Sequence, residues 1–187
     1  MSDPYFLKIA KEGRLLTNYH GNIHPSQPNY LAMIAGDHFN VTTDDDVVFN
    51  NTATIVDLFE KENITWGSYQ EDYPKDQGCF TNSTAGGEGK YVRKHNPFMS
   101  FSSITNDPKR CARVFNSDQL YEDIEKKQLP KYVFYTPNLM DDGHDSNRKG
   151  DNFTYPSSWF EKFFEPLRKN PYMNGTTFLI TFDEVYK

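Results

Sequence analysis

Ser26 lies in His24-Pro25-Ser26-Gln27-Pro28-Asn29, ahead of an apolar segment, Pro28 to Ala35, that ends at Gly36. Proline near the start and glycine just past the end mark a short helix. A serine at a helix start has two uses. Its hydroxyl can cap the free backbone N–H groups. It can also be a nucleophile, because the positive end of the helix favours an alkoxide and an incoming anion such as phosphate together. No G-x-S-x-G elbow is present, and spacing alone picks out no His–Asp relay. The expected activator of Ser26 is therefore a metal ion.

Carboxylates and imidazoles supply the other groups. Asp183 and Glu184 directly follow the apolar run 176–181. At a strand end the chain turns, so both carboxylates can reach one ion; the alternative is the cap of a following helix. Asp141-Asp142-Gly143-His144-Asp145 puts three carboxylates and an imidazole into five residues. Gly143 permits a turn that folds its neighbours toward one point. Asp142 and His144 suit Mg2+, Ca2+, Mn2+ or Zn2+; the alternative is a surface Asx-turn. The spacing is not that of an EF-hand loop. His95 follows Arg93 and Lys94. Beside two cations it can bind a phosphate oxygen or protonate a leaving group, or it is a structural histidine.

These groups need elements to hold them. Strands are expected at 14–20, 64–69, 132–136 and 176–181, the last two as continuous apolar runs. Helices are expected at 28–35, at 53–62, from an Asp118 N-cap to the stop at Pro130, and from Ser157 or Ser158 onward. Residues 37–52, with Asp44-Asp45-Asp46, and residues 71–90 are expected as loops, the acidic run as solvated surface. Helix, strand, helix, strand is the pattern of a parallel sheet, whose strands need crossovers and are buried on both faces. The fold class is α/β: a three-layer α/β/α arrangement with a mostly parallel sheet. Ligands of such sheets bind beyond the carboxyl ends of the strands. The four expected strands lead into His24 to Asn29, Gln70-Glu71-Asp72, Pro137 to Asp145, and Asp183-Glu184.

The chain has 187 residues and a net charge of -6, which argues against nucleic acid as partner, since phosphate backbones recruit basic patches. Aromatic residues reach 16 %, which excludes a disordered chain. No apolar run approaches the ~20 residues of a membrane helix. Cys79 and Cys111 stand alone, with no C-x-x-C, so a zinc finger is excluded and either one disulfide or two buried thiols remain. Asn-x-Ser/Thr sequons begin at Asn40, Asn50, Asn63, Asn82, Asn152 and Asn174. With 16 Asn and 25 Ser plus Thr, about two are expected by chance. The excess points to a secreted glycoprotein, which favours the disulfide. Met1-Ser2-Asp3-Pro4 is not a signal peptide.

Asn18-Tyr19-His20 with His24-Pro25-Ser26-Gln27-Pro28-Asn29-Tyr30 resembles the signature of the fungal acid phosphatase and phospholipase C-like phosphoesterases of the alkaline phosphatase superfamily. The similarity continues through Thr65 to Asp72, Tyr91 to Phe98, Thr136-Pro137-Asn138 with Asp142 to Asp145, and Leu179 to Glu184. The resemblance implies hydrolysis of a phosphate ester through a covalent phosphoserine. Ser26 matches the nucleophile and a metal ligand, and Asp183 and Glu184 match a metal pair. Asp142 and His144 match the Asp-Gly-His segment near phosphate and metal, with His144 as a catalytic candidate. His95 matches a histidine near the phosphate and is a second catalytic candidate; His95, Asn29 and Asp142 are implied to bind the substrate, and Glu71 matches a further position. A divalent cation is implied as cofactor and a small phosphorylated molecule as substrate.

The family pattern extends beyond both ends, so residues 1–187 read as one partial phosphoesterase domain of a secreted or cell-wall protein. Two readings compete with the hydrolase: a truncated, inactive remnant, and a secreted module that binds phosphorylated ligands or glycans.

Overall fold

A computed structural model of the chain describes residues 4–87, 90–148 and 154–184. The chain falls into two compact units. One comprises Met1–His20 with Leu139–Thr181, the other Gly21–Asn138 with Phe182–Lys187. They are called here the helical unit and the sheet unit.

In the sheet unit, α2 (Ser26–Ala35) and α3 (Ile55–Lys61) precede β1 (Trp66–Gln70). A two-stranded antiparallel ribbon follows, β2 (Thr84–Ala85) with β3 (Tyr91–Val92). Next come two 3-10 turns, Arg93–His95 and Pro97–Ser100, then α4 (Ser102–Thr105), α5 (Pro108–Cys111), β4 (Val114–Asn116), α6 (Asp118–Glu125) and β5 (Tyr132–Thr136). The main sheet is parallel, in the order β4-β1-β5, with Ser68 opposite both Val114 and Phe134. Helices flank it, as the α/β expectation requires. All five residues of central β1 are buried, as expected for a parallel strand covered on both faces.

Aromatic rings fill this core. Trp66 stacks on Phe98 at 5.6 Å, and Phe98 meets Phe134 edge-on at 5.4 Å. Phe98 is fully buried, so its truncation to Ala would cost about 3–5 kcal/mol. Thr54 caps α3 in a capping box with Asp57, whose other oxygen takes Arg110 at 2.8 Å. The disulfide forms between Cys79 and Cys111, with a Cα–Cα distance of 5.4 Å. It ties the loop after β1 to α5.

In the helical unit, α1 (Pro4–Glu12) packs on α8 (Thr154–Lys169). Phe6 stacks on Phe160 at 5.2 Å, and Glu165 accepts from Tyr5 at 3.0 Å, Lys8 at 3.1 Å and Arg168 at 2.7 Å. The cations, Arg168 foremost, hold the Glu165 carboxyl far below its ordinary value. The short helix α7 (His144–Arg148) belongs to the same unit.

Four expectations are corrected. Residues 14–20 are irregular and form no strand. Residues 176–181 also form none, and Leu179 and Ile180 are 72 % and 41 % exposed. A strand is a paired object whose N–H and C=O groups need a ladder, and apolar composition does not supply one. Among the described residues, no strand pairs with either segment. Helix α6 takes Ser117 as N-cap, with Asp118 its first residue, and it ends at Glu125, short of Pro130. Lys127, at φ 55°, adopts the left-handed region that a helix cannot continue through. Helix α8 begins at Thr154, before Ser157, because Pro156 is tolerated in a first turn.

Candidate active site

The start of α2 is the best-defined part of the site. The His24–Pro25 peptide is cis, Pro25 is extended, and Ser26 opens the helix. Gly36, at φ 74°, closes it in the left-handed conformation that glycine adopts without cost. Ser26 is 3 % exposed.

Asn29 sets the approach to Ser26. Its Oδ1 accepts from the N–H groups of Asn22 at 2.7 Å and Ile23 at 3.2 Å. Its Nδ2 donates to the carbonyls of Ile23 at 2.6 Å and Pro25 at 3.3 Å. One buried amide thus holds residues 22–25 in place. Leaving a buried amide such as that of Asn29 without its partners costs about 1–3 kcal/mol.

The carboxylate segment reaches the same place from the far end of the sequence. Ser26 Oγ donates to Glu184 Oε1 at 2.9 Å. His24 Nδ1 lies directly against Glu184 Oε2. Gly21 makes the approach possible: a Cβ there would stand 2.8 Å from the Asp183 carbonyl oxygen and 3.6 Å from Asn29 Oδ1. Sequence reading brought Ser26, Asp183 and Glu184 together but gave no role to Gly21 or His24. Their signal lies in spacing across the tertiary fold.

His95 occupies the 3-10 turn on which α2 packs, and its ring stacks on Tyr30 at 4.8 Å. Asp44 joins this group, so the acidic run is not solvated surface throughout. Asp44 Oδ1 accepts from Gln27 N–H at 3.0 Å and Oδ2 from Lys94 Nζ at 2.7 Å. Burial pushes the Asp44 carboxyl up. Lys94, the Gln27 N–H and His95 outweigh that and hold it below its ordinary value.

Two strand ends carry the polar residues expected of them. Glu71, after β1, accepts from Tyr135 Oη and Asn138 N–H, both at 2.9 Å. Asp72 accepts from Asn138 Nδ2 at 2.9 Å. Burial and the Glu71 charge push the Tyr135 phenol far up, so it stays a donor. Asp142 and His144 belong to the helical unit. There Asp142 Oδ1 accepts from His144 N–H at 2.7 Å, the bond of an Asx-turn, with Gly143 at φ 96°.

The donors suit a hard cation in part. Ser26 and Glu184 offer oxygen ligands side by side, and Asp183 Oδ2 is buried without a hydrogen-bond partner among the described residues. Among those residues no three of His, Cys, Asp or Glu converge as a complete ligand set. No described helix is long and apolar enough to cross a membrane. Asn40, Asn50, Asn63, Asn82 and Asn174 are all exposed, while Asn152 lies outside the described residues.

Comparison with known proteins matches residues 2–185 to the Phosphoesterase family. A phosphate-repressible acid phosphatase of Penicillium chrysogenum is 42 % identical over 184 residues, covering 97 % of this chain and 43 % of that protein. An acid phosphatase of Aspergillus fumigatus is 39 % identical over 183 residues, covering 94 % and 39 %. A phosphatidylinositol-3-phosphatase of Mycobacterium tuberculosis is 28 % identical over 187 residues, covering 98 % and 56 %. The chain therefore spans 39–43 % of the length of these fungal relatives.

Proposed function

Because the chain belongs to the phosphoesterase family, we propose that it hydrolyses phosphate esters as an acid phosphatase does, with Ser26 as nucleophile. The observation that carries the proposal is the 2.9 Å hydrogen bond from Ser26 to Glu184 at the start of α2. The relatives named acid phosphatases give the substrate class.

Ser26 Oγ passes its proton to Glu184, the acceptor of its hydrogen bond, and attacks phosphorus, and the bond from phosphorus to the ester oxygen breaks. The leaving alcohol takes up a proton, for which His95 and His144 are the proposed donors. Water then attacks the phosphoserine, inorganic phosphate leaves, and the hydroxyl is restored. Glu184 orients the hydroxyl, His24 holds the second oxygen of Glu184, and Asn29 fixes the loop that leads into Ser26. The role of Asp142 is proposed from its Asp-Gly-His motif. Ser26, Asp183 and Glu184 are the residues proposed to hold a divalent cation, which when bound neutralises phosphate charge and favours the alkoxide.

The five exposed sequon asparagines support N-glycosylation, and with the disulfide they support a secreted protein. The deciding experiment is hydrolysis of an aryl phosphate from about pH 4 to 8, with and without chelator, by this chain and by Ser26→Ala. Activity in the parent and none in the variant supports the proposal. Equal rates overturn the nucleophile. Phosphate binding by an inactive, folded parent favours a binding module.

A further inference from the structure

The loop that carries Asp44 ties together two segments given catalytic roles above. Asp44 takes the Gln27 N–H at 3.0 Å and the Lys94 ammonium at 2.7 Å. Gln27 is 1 % exposed and returns two bonds through Nε2, to the carbonyls of Asp45 at 2.6 Å and Thr43 at 3.3 Å. A second anchor lies two residues on, where Asp46 accepts from Ser83 Oγ at 2.5 Å and stands 3.8 Å from Arg93. Gln27 follows Ser26 in the chain, and Lys94 precedes His95. His95 stacks on Tyr30, one turn along α2 from Ser26. The contacts form a closed ring: Asp44, the first turn of α2, Tyr30, His95, Lys94 and back to Asp44.

We propose that Asp44 is a positioning residue, a charged strut that locks the start of α2, and with it Ser26, to the Lys94–His95 segment. The proposal rests on the hydrolase reading for the roles of Ser26 and His95; the strut itself rests on geometry. Charge-assisted hydrogen bonds are roughly twice as strong as neutral ones, so one carboxylate with two such partners fixes both. Lys94 is 17 % exposed, and removing the Asp44 charge leaves its ammonium without that counter-charge. Reacting groups must be held closely, because a misplacement of about 1 Å costs about a hundredfold in rate.

The test uses the full chain with Asp44→Ala, Asp44→Asn and Asp45→Asn. The last removes an equal charge from an exposed neighbour. Two readouts are taken: NMR of the Gln27 amide and the His95 ring, and hydrolysis of p-nitrophenyl phosphate. In Asp44→Ala both signals move and kcat falls about a hundredfold, with KM within about threefold. Asp44→Asn keeps an acceptor for the Gln27 N–H and removes the negative charge that faces Lys94, so the His95 ring moves more than the Gln27 amide. Asp45→Asn leaves signals and rate as in the parent. If Asp44→Ala does not fold, Lys94→Met decides: a shifted Gln27 amide supports the strut and an unshifted one overturns it. Unmoved His95 signals in a folded Asp44→Ala, or parental kcat with both signals moved, overturn the proposal. An inactive parent overturns the hydrolase reading instead, and the NMR shifts then decide the strut alone.

Discussion

Ser26 Oγ and Glu184 Oε1 are joined by a 2.9 Å hydrogen bond across 158 residues of sequence. Neither residue stands out by type; a serine opens many helices, and a glutamate is common in irregular segments such as the one that carries Glu184. Their pairing depends on Asn29, which shapes the loop into Ser26, and on Gly21, which lets the 183–184 backbone come down on that loop.

Glu184→Gln keeps an acceptor for the Ser26 hydroxyl and removes the charge. Aryl phosphate hydrolysis by the variant is expected to fall about a hundredfold or more, and Ser26→Ala to reach background. Chelator is expected to reduce the parental rate and addition of a divalent cation to restore it. Steady-state rates with and without chelator check all three; a Glu184→Gln enzyme at parental speed would remove Glu184 from the mechanism.

Gly21→Ala places a methyl group 2.8 Å from the Asp183 carbonyl oxygen, closer than such contacts occur, and 3.5 Å from the Glu184 Cα. Asn29 holds the loop from yielding. The carboxylate segment is therefore expected to move away from Ser26, lowering kcat about tenfold to a hundredfold. A crystal structure or rate measurement of the variant checks this, and an unchanged rate would show that the loop gives way.

Asp44 and Asp57 are both held below the ordinary carboxylate value of about 3.9, although burial pushes each up. Lys94 and Gln27 win at Asp44, and Thr54 and Arg110 win at Asp57. A depressed folded-state pKa contributes stability that is fully present above the unfolded value and is lost as pH falls through the folded one. Unfolding free energy is expected to hold through the mildly acidic range and to fall below about pH 4. Urea titrations at several pH values check the slope, which Asp44→Asn should flatten on the acid side.

The Cys79–Cys111 bridge closes a loop with a sequence separation of 32. Loop-closure entropy puts its contribution at about 3–4 kcal/mol. The paired Cys79→Ser, Cys111→Ser variant is expected to lose that much in urea unfolding, and thiol titration of the folded parent to find no free thiol. Two titratable thiols would contradict the bridge.

The α/β class, helices α2 and α3, and strands β1 and β5 were legible in the sequence, because each depends on local periodicity and on breakers such as Gly36 and Pro137. The segments around Ser26 and Asp183-Glu184 were legible as candidates, since residue type and order single out groups that could react. Residues 14–20 and 176–181 misled because apolar composition reports burial potential, whereas a strand exists only where another strand offers a ladder. Asp44 in a run of three acids looks like solvated surface until Gln27 and Lys94 arrive from 17 residues before it and 50 after. The same holds for Gly21, whose missing side chain matters only because a backbone 162 positions away passes over it. Local sequence determined most of the helices, two of the sheet strands and the residue types at the candidate site; the tertiary structure decided which groups meet, because hydrogen bonds and van der Waals contact act through a few ångströms of space and take no account of separation along the chain.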